Sequence, residues 1–164
     1  MLSVRVFSYI KRRLDRFFLV KQNKNRLFLG NNVYWRSRFS VIVENQGQLK
    51  IGNDCLFNFD CSITCLGKIT IGNSSIFGEG VKIYEHNHKF NRKNRTISEQ
   101  GMAIGEVNIG NNCWIGSNVI ILKGADIGDN CVVGAGAIIS GKIPDNTLVR
   151  TKNNYETETI QFKD

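Results

Sequence analysis

Residues 109–139 read IGNNCWIGSNVIILKGADIGDNCVVGAGAII. Every sixth position from Ile109 carries a β-branched apolar residue: Ile109, Ile115, Ile121, Ile127, Val133 and Ile139. Glycine follows directly at Gly110, Gly116, Gly128 and Gly134. The residue four places after each is small or apolar: Cys113, Val119, Ala125, Cys131, Ala137 and Ile143. A period of six is neither the 3.6 of an amphipathic helix nor the 2 of an isolated strand, and it marks an internal repeat.

The same register runs upstream. Ile51, Phe57 and Ile63 form one triplet, Ile71, Phe77 and Ile83 another, and Leu29, Trp35 and Val41 a looser third. Together with the two triplets of residues 109–139 this makes five units of eighteen residues. Each unit offers three short β-favouring faces joined by corners, which predicts an all-β solenoid: a triangular parallel β-helix of about five coils. Apolar residues point into a narrow core, small residues fit the tight corners, and Gly or Asn tolerates the turn conformation. At an inter-strand spacing of about 4.8 Å the prism is roughly 24 Å tall. One coil cannot bury its own core, so stability comes from the stack.

The predicted organisation has three parts: a basic N-terminal helix or cap over residues 1–26, the repeat over 27–145 and a tail over 146–164. The composition agrees, with 41% apolar residues and sixteen glycines against one proline. Five cysteines is an odd number, and no paired C-x-x-C spacing suggests a zinc site. Four of them, Cys55, Cys61, Cys113 and Cys131, fall at the small corner position, the place of a buried hydrophobe, while Cys65 lies off it. No cysteine nucleophile is expected. Without a secretory signal or an apolar run long enough to span a bilayer, the expectation is a cytoplasmic protein with reduced thiols.

The regular spacing breaks once. Ile83 and Ile109 lie twenty-six residues apart, and the segment between them, YEHNHKFNRKNRTISEQGMAIGE, spans residues 84–106. It holds both histidines of the chain, His86 and His88. Loops inserted into a rigid solenoid are where function concentrates. An imidazole titrates near neutrality and can take a proton from a hydroxyl, itself a poor nucleophile. In an extended segment residues two apart share a side, so both rings can face one pocket. Glu85 is placed either to orient an imidazole or to sit in solvent. The cations Lys89, Arg92, Lys93 and Arg95 suit an acidic acceptor or a nucleotide phosphate, or simply a solvated loop.

Charge is uneven. The net charge is +8, yet residues 1–38 carry ten Lys or Arg and one acid, Asp15. The rest of the chain is therefore close to neutral. Phe7, Ile10, Leu14 and Phe17 fall on one helical face, which predicts a helix capping the open end of the solenoid. A basic amphipathic helix also suits an anionic membrane surface. No recognition motif supports nucleic acid.

The repeat, the single long loop, the pair in YEHNHKF and the phrase NCWIGS together resemble the hexapeptide-repeat acyltransferases. The resemblance covers about residues 27–145 and is nearest to the galactoside and maltose acetyltransferases and the O-acetyltransferases of bacterial surface polysaccharides. It implies a left-handed coil, a homotrimer and active sites at clefts between subunits. It also implies acetyl-CoA as co-substrate, no metal, and a histidine as general base in direct transfer to a sugar hydroxyl. Alignment on the acid before the first histidine selects His86, whereas counting from Ile83 favours His88. By the same resemblance Asn58 and Trp114 meet the acceptor. Trp114, Ser117, Gly134 and Ala135 then line the pantetheine arm. Asp60, read as lying on the same side of its strand as Asn58, is a candidate partner for substrate or histidine, and Tyr84 joins the loop cations as a candidate for the acceptor.

The C-terminus departs from the family pattern. The Gly-x-Pro element is absent, and Lys142 stands one place out of step; Lys142 and Arg150, with Lys152 beside them, are the candidates for the nucleotide end of the donor. The acceptor expected is a capsular, O-antigen or exopolysaccharide unit, with peripheral contact at the inner face of the cell membrane. A small-molecule sugar or amino-sugar acetyltransferase is the alternative, and a non-catalytic β-helix assembly module is the reading from outside the enzymes. A zinc site of the carbonic anhydrase type is the metal alternative: it takes three histidines per site, and His86 and His88 with a water are what the chain could supply, while the long loop and NCWIG fit the acyltransferases better.

Overall fold

In the computed structural model, which describes residues 15–23, 25–44 and 46–151, the chain winds into a parallel solenoid with three faces. The first face stacks Leu27–Leu29, Gln48–Ile51, Lys68–Ile71, Glu106–Ile109, Asp126–Ile127 and Lys142–Ile143. The second stacks Tyr34–Trp35, Leu56–Phe57, Ile76–Phe77, Trp114–Ile115, Val132–Val133 and Leu148–Val149. The third stacks Ser40–Val43, Ser62–Cys65, Lys82–Tyr84, Ile120–Ile121 and Ile138–Ile139. Every pairing within these faces is parallel.

Among the described residues the stack thus has a sixth coil on two faces, where the repeat predicted about five. The cause is a shortened corner. The six-residue count assigns Ile143 to a corner after Ile139, but only residues 140–141 separate the third face from the first here. Ile143 consequently pairs with Ile127 as an inward strand residue.

The inward positions are those marked by the repeat. Ile51, Phe57, Ile63, Ile71, Phe77, Ile83, Ile109, Ile115, Ile121, Ile127 and Val133 are all fully or almost fully buried. Each such side chain contributes roughly 1.5–3 kcal/mol by leaving water. Phe57 and Phe77 stack with ring centroids 4.4 Å apart, and Phe39 continues the column at 4.8 Å. All five cysteines are free and buried. The thiols of Cys55, Cys61, Cys113 and Cys131 each point to a carbonyl of the following coil at 3.1–3.2 Å. Burial pushes the Cys55, Cys61 and Cys113 thiols up and takes Cys65 up to about 12, which removes the thiolate a nucleophile would need.

The corner between the first and second faces is a polar ladder. The backbone N–H groups of Asn31, Asn53, Asn73, Asn111 and Asp129 each donate to the side-chain oxygen of the equivalent residue one coil on, at 2.7–2.8 Å. The sequence steps along this ladder are 22, 20, 38, 18 and 16 residues. All of that variation lies in the connection from third to first face and in the lengths of the strands on either side of it. The connections from first to second face (30–33, 52–55, 72–75, 110–113, 128–131, 144–147) and from second to third (36–39, 58–61, 78–81, 116–119, 134–137) never change length. The connections from third to first are 44–47, 66–67, 85–105, 122–125 and 140–141.

Residues 15–22 are helical and lie over the first coil. Leu19 packs against the core, and the Arg16 guanidinium donates to the Leu29 and Gly30 carbonyls at 3.2 and 2.9 Å. Phe17, expected on the buried face, is instead 58% exposed, because Leu19 takes the place against the first coil. Phe7, Ile10 and Leu14 lie outside the described residues.

Candidate active site

The long connection of the third coil is a hairpin rather than an irregular loop. His86–His88 pairs antiparallel with Met102–Ile104, in the register His86 with Ile104 and His88 with Met102. The Lys89 N–H extends the ladder to the Gly101 carbonyl at 3.0 Å. Its tip is braced internally. Thr96 and Glu99 form a capping box on the short 3₁₀ turn Ile97–Gln100. The Gln100 side chain accepts from the Arg92 N–H and donates to the Arg92 and Arg95 carbonyls. These contacts brace the strand that carries both histidines.

At the root of the hairpin stands Glu85, fully buried rather than solvated. One carboxylate oxygen, Oε1, accepts from the backbone N–H groups of Leu66 and Gly67, both at 2.6 Å. The other, Oε2, lies 3.5 Å from Nδ1 of His86. A buried acceptor on two backbone donors meets the requirement that polar groups removed from water be paired. The Glu85 carbonyl accepts from the Gly105 N–H at 2.8 Å, closing the hairpin where it rejoins the prism. Gly67 is needed for this approach, since a Cβ there would meet Ile104 and stand 2.7 Å from the Gly105 carbonyl oxygen.

The two histidines differ in setting. The His86 side chain is 15% exposed, with the ring of Tyr84 edge-on at 6.3 Å. With Nδ1 turned to Glu85, the imidazole has Nε2 left to act on a substrate. His88 is exposed, and no hydrogen bond of its ring is among the contacts of the described residues. The second histidine therefore lacks the orienting partner that the first has.

The remaining candidates fall on other edges. Asn58, Asp60, Ser117, Gly134 and Ala135 all lie in the connections from second to third face, and Arg150 follows the last strand into the same corner. The stacking there is direct: the Gly136 N–H donates to the Ser117 carbonyl at 2.8 Å, and the Thr151 hydroxyl donates to the Ala135 carbonyl at 3.0 Å. Asp60, read from the sequence as lying on a strand, sits in this corner at φ +60° and is committed to Arg38, whose Nη2 is 2.7 Å from Oδ2. That hydrogen-bonded guanidinium holds the Asp60 carboxyl below its usual range. The Asn58 side chain accepts from the Phe59 N–H at 3.0 Å. Lys142, grouped from the sequence with the nucleotide contacts, is separated from them: it lies on the first face beside Asp126. Lys152 is outside the described residues.

Trp114 points outward from the second face and is 55% exposed. It belongs to a column that the repeat did not reveal, because outward residues carry no six-residue signature. Tyr34, Leu56, Ile76, Trp114, Val132 and Leu148 stand in register, one per coil. All but Val132 are exposed large hydrophobics. A continuous apolar stripe of this kind marks a surface that is covered in use.

The histidine edge and the edge of Asn58, Ser117 and Ala135 flank opposite sides of the third face. About five residues of extended chain separate them, roughly 15–20 Å.

Residues 106–141 match the family described as bacterial transferase hexapeptide (six repeats). A putative lipopolysaccharide biosynthesis O-acetyl transferase of Escherichia coli strain K12 is 27% identical, over 96% of this chain and 87% of its own length. Among solved structures, a maltose O-acetyltransferase from Clostridium difficile 630 is 28% identical with a TM-score of 0.68, over 81% of this chain and 68% of that one. A galactoside acetyltransferase in complex with coenzyme A is 29% identical with a TM-score of 0.54, over 74% and 58%. The chain spans less than half the length of the curated relatives it matches first, which are 31–38% identical where they align. The resemblance read from the repeat stands: residues 106–141 carry the hexapeptide repeat of the bacterial transferases, and the relatives include acetyltransferases.

Proposed function

We propose that this hexapeptide-repeat protein of the acetyltransferase kind moves an acetyl group from acetyl-CoA to a sugar hydroxyl of a bacterial surface polysaccharide. The observation that carries the reading is the pair Glu85 and His86 at the root of the one braced hairpin. Glu85 fixes Nδ1 of His86, and Nε2 takes the proton of the acceptor hydroxyl as the oxygen attacks the thioester carbonyl. Backbone N–H groups at a prism corner stabilise the oxyanion of the tetrahedral intermediate. Its collapse breaks the carbon–sulfur bond, and the imidazolium returns its proton to the departing thiolate. No acyl-enzyme forms, in keeping with the burial of every cysteine.

The site is shared between copies in a homotrimer. The separation of the histidine edge from the edge of Asn58, Ser117, Gly134, Ala135 and Arg150 supports this, as does the exposed apolar column through Trp114. Ser117, Gly134 and Ala135 flank the pantetheine arm, and Arg150 meets the nucleotide phosphates. Asn58, Tyr84 and Trp114 meet the acceptor, with Asp60 held in place by Arg38. The protein works in the cytoplasm beside the membrane on which such glycans are assembled. Support for a polysaccharide acceptor comes from the near full-length relative in lipopolysaccharide biosynthesis.

The direct test incubates purified protein with acetyl-CoA and oligosaccharides and follows free thiol. Release of CoA that depends on the sugar and is lost in His86→Ala is the expected result; no release with any acceptor defeats the reading. Likeness to maltose and galactoside acetyltransferases favours free sugars as a second reading. Higher kcat/KM on a mono- or disaccharide than on the polymer would establish it.

A further inference from the structure

We infer that the N-terminal end of the solenoid is a docking face for an anionic lipid bilayer. Phe17 and Phe18 on the capping helix are 58% and 60% exposed and form one patch, with ring centroids 5.7 Å apart at 74°. Phe28, on the first strand, is 52% exposed and shares with Phe17 an open groove of about 700 Å³. Val20, Leu27 and Leu29 line the groove, with Arg16 and Lys21 at its side. Lys21 Nζ stands 5.7 Å from the Phe17 ring centroid.

Three phenylalanines held out at one end of a prism, when the same chain buries Phe57 and Phe77 completely, need an occupant that accepts aromatic rings. The charge identifies it. Ten of the 22 cations lie within residues 1–38, against one acid, while the remaining chain is almost neutral. Aromatic side chains set among Lys and Arg suit the headgroup boundary of an anionic membrane, where rings insert and cations meet lipid phosphate. A second copy stacked end to end would set Arg16 and Lys21 against the same cations of its partner, which disfavours it. No described helix is long and apolar enough to cross a bilayer, so contact by this face is peripheral.

Standing on this end, the solenoid lifts His86, at the end of the third coil, by two coil steps, about 10 Å, above the first coil. On the transferase reading, the acceptor hydroxyl is then one carried close to the lipid surface.

The test is co-sedimentation of the full chain with vesicles of phosphatidylcholine alone and mixed with phosphatidylglycerol. The expected result is binding to the mixed vesicles only, weakened by salt, and reduced about tenfold or more in Phe17→Ser/Phe18→Ser and in Lys21→Glu. The affected side chains are exposed, so far-ultraviolet circular dichroism and Tm should match the parent and keep loss of folding apart from loss of binding. Failure to bind mixed vesicles, or equal binding by the phenylalanine variants, overturns the inference. So does an oligomer that the parent forms and the Phe17→Ser/Phe18→Ser variant does not, since that makes a second copy the occupant. Vesicle binding needs neither acetyl-CoA nor acceptor, so a negative result leaves the transferase reading untouched.

Discussion

Glu85 Oε2 stands 3.5 Å from Nδ1 of His86, while Oε1 of the same carboxylate is held by the N–H groups of Leu66 and Gly67. The orientation of one imidazole is thereby tied to the backbone of the preceding coil. His86→Ala should lower kcat/KM for acetyl transfer by about 10²–10⁴, the range typical of a positioned base. His88→Ala, which removes an exposed ring, should cost less than about tenfold. Thiol release under matched acetyl-CoA and acceptor measures both, and a larger loss from His88→Ala would transfer the role.

Glu85→Gln keeps the side-chain volume and one acceptor oxygen. Its expected effect is a lower kcat with little change in KM for acetyl-CoA, because Glu85 acts through His86 and not on substrate. Glu85→Ala leaves the Leu66 and Gly67 N–H groups buried without partners, at about 1–3 kcal/mol each. Thermal unfolding should separate the two variants, and an unchanged Tm in Glu85→Ala would mean that water replaces the carboxylate.

Gly67→Ala places a methyl group against Ile104 and the Gly105 carbonyl. The hairpin root should open while the coils stay stacked. Hydrogen exchange should show faster exchange at residues 86–88 and 102–104 with protection kept at 107–109. Uniform loss of protection would instead mean that the root and the stack unfold together.

Ile76→Glu puts a charge in the middle of the outward column formed with Tyr34, Leu56, Trp114, Val132 and Leu148. If three copies meet over this stripe, sedimentation should show the trimer falling apart, and acetyl transfer should fall with it. An unchanged trimer would place the interface elsewhere.

Cys65 gives a pH test with a defined sign. Its thiol is raised by burial, and further by Glu85, from 9.0 to about 12. The folded protein keeps a proton that the unfolded chain loses, so this contribution to stability is intact below pH 9 and fades as pH climbs toward 12. Cys65→Val should flatten the alkaline fall in Tm. At pH 8 none of the five thiols should react with a disulfide reagent until denaturant is added.

The inward half of the molecule was readable because burial writes directly on sequence: a side chain that must enter a narrow core every sixth residue leaves Ile109, Ile115 and Ile121 in plain view. The outward half was not. Nothing on a solvated face is constrained to a period, so the column through Trp114 emerged only from the strand register. Ile143 was misplaced because a count of six continues across a corner that has lost two residues. Glu85 looked like an ordinary turn acid in a polar run. Its burial depends on Leu66 and Gly67, some nineteen residues earlier, and only the glycines at 67 and 105 hinted at so close an approach. The hairpin was hidden for a related reason: His86–His88 and Met102–Ile104 pair through backbone groups, with no alternation of apolar side chains to announce them.

The corner ladder also governs how a chain like this can change. Two of its three connections are fixed at four residues in every coil, because one residue more or less would turn every later inward side chain toward solvent. The third connection runs from two residues to twenty-one with the coils on either side still in register. It works as a splice point: material gained or lost there is invisible to the stack. The hairpin that carries His86 and His88 occupies that joint, so reactive parts can be exchanged at one edge while the scaffold that supports them stays as it is.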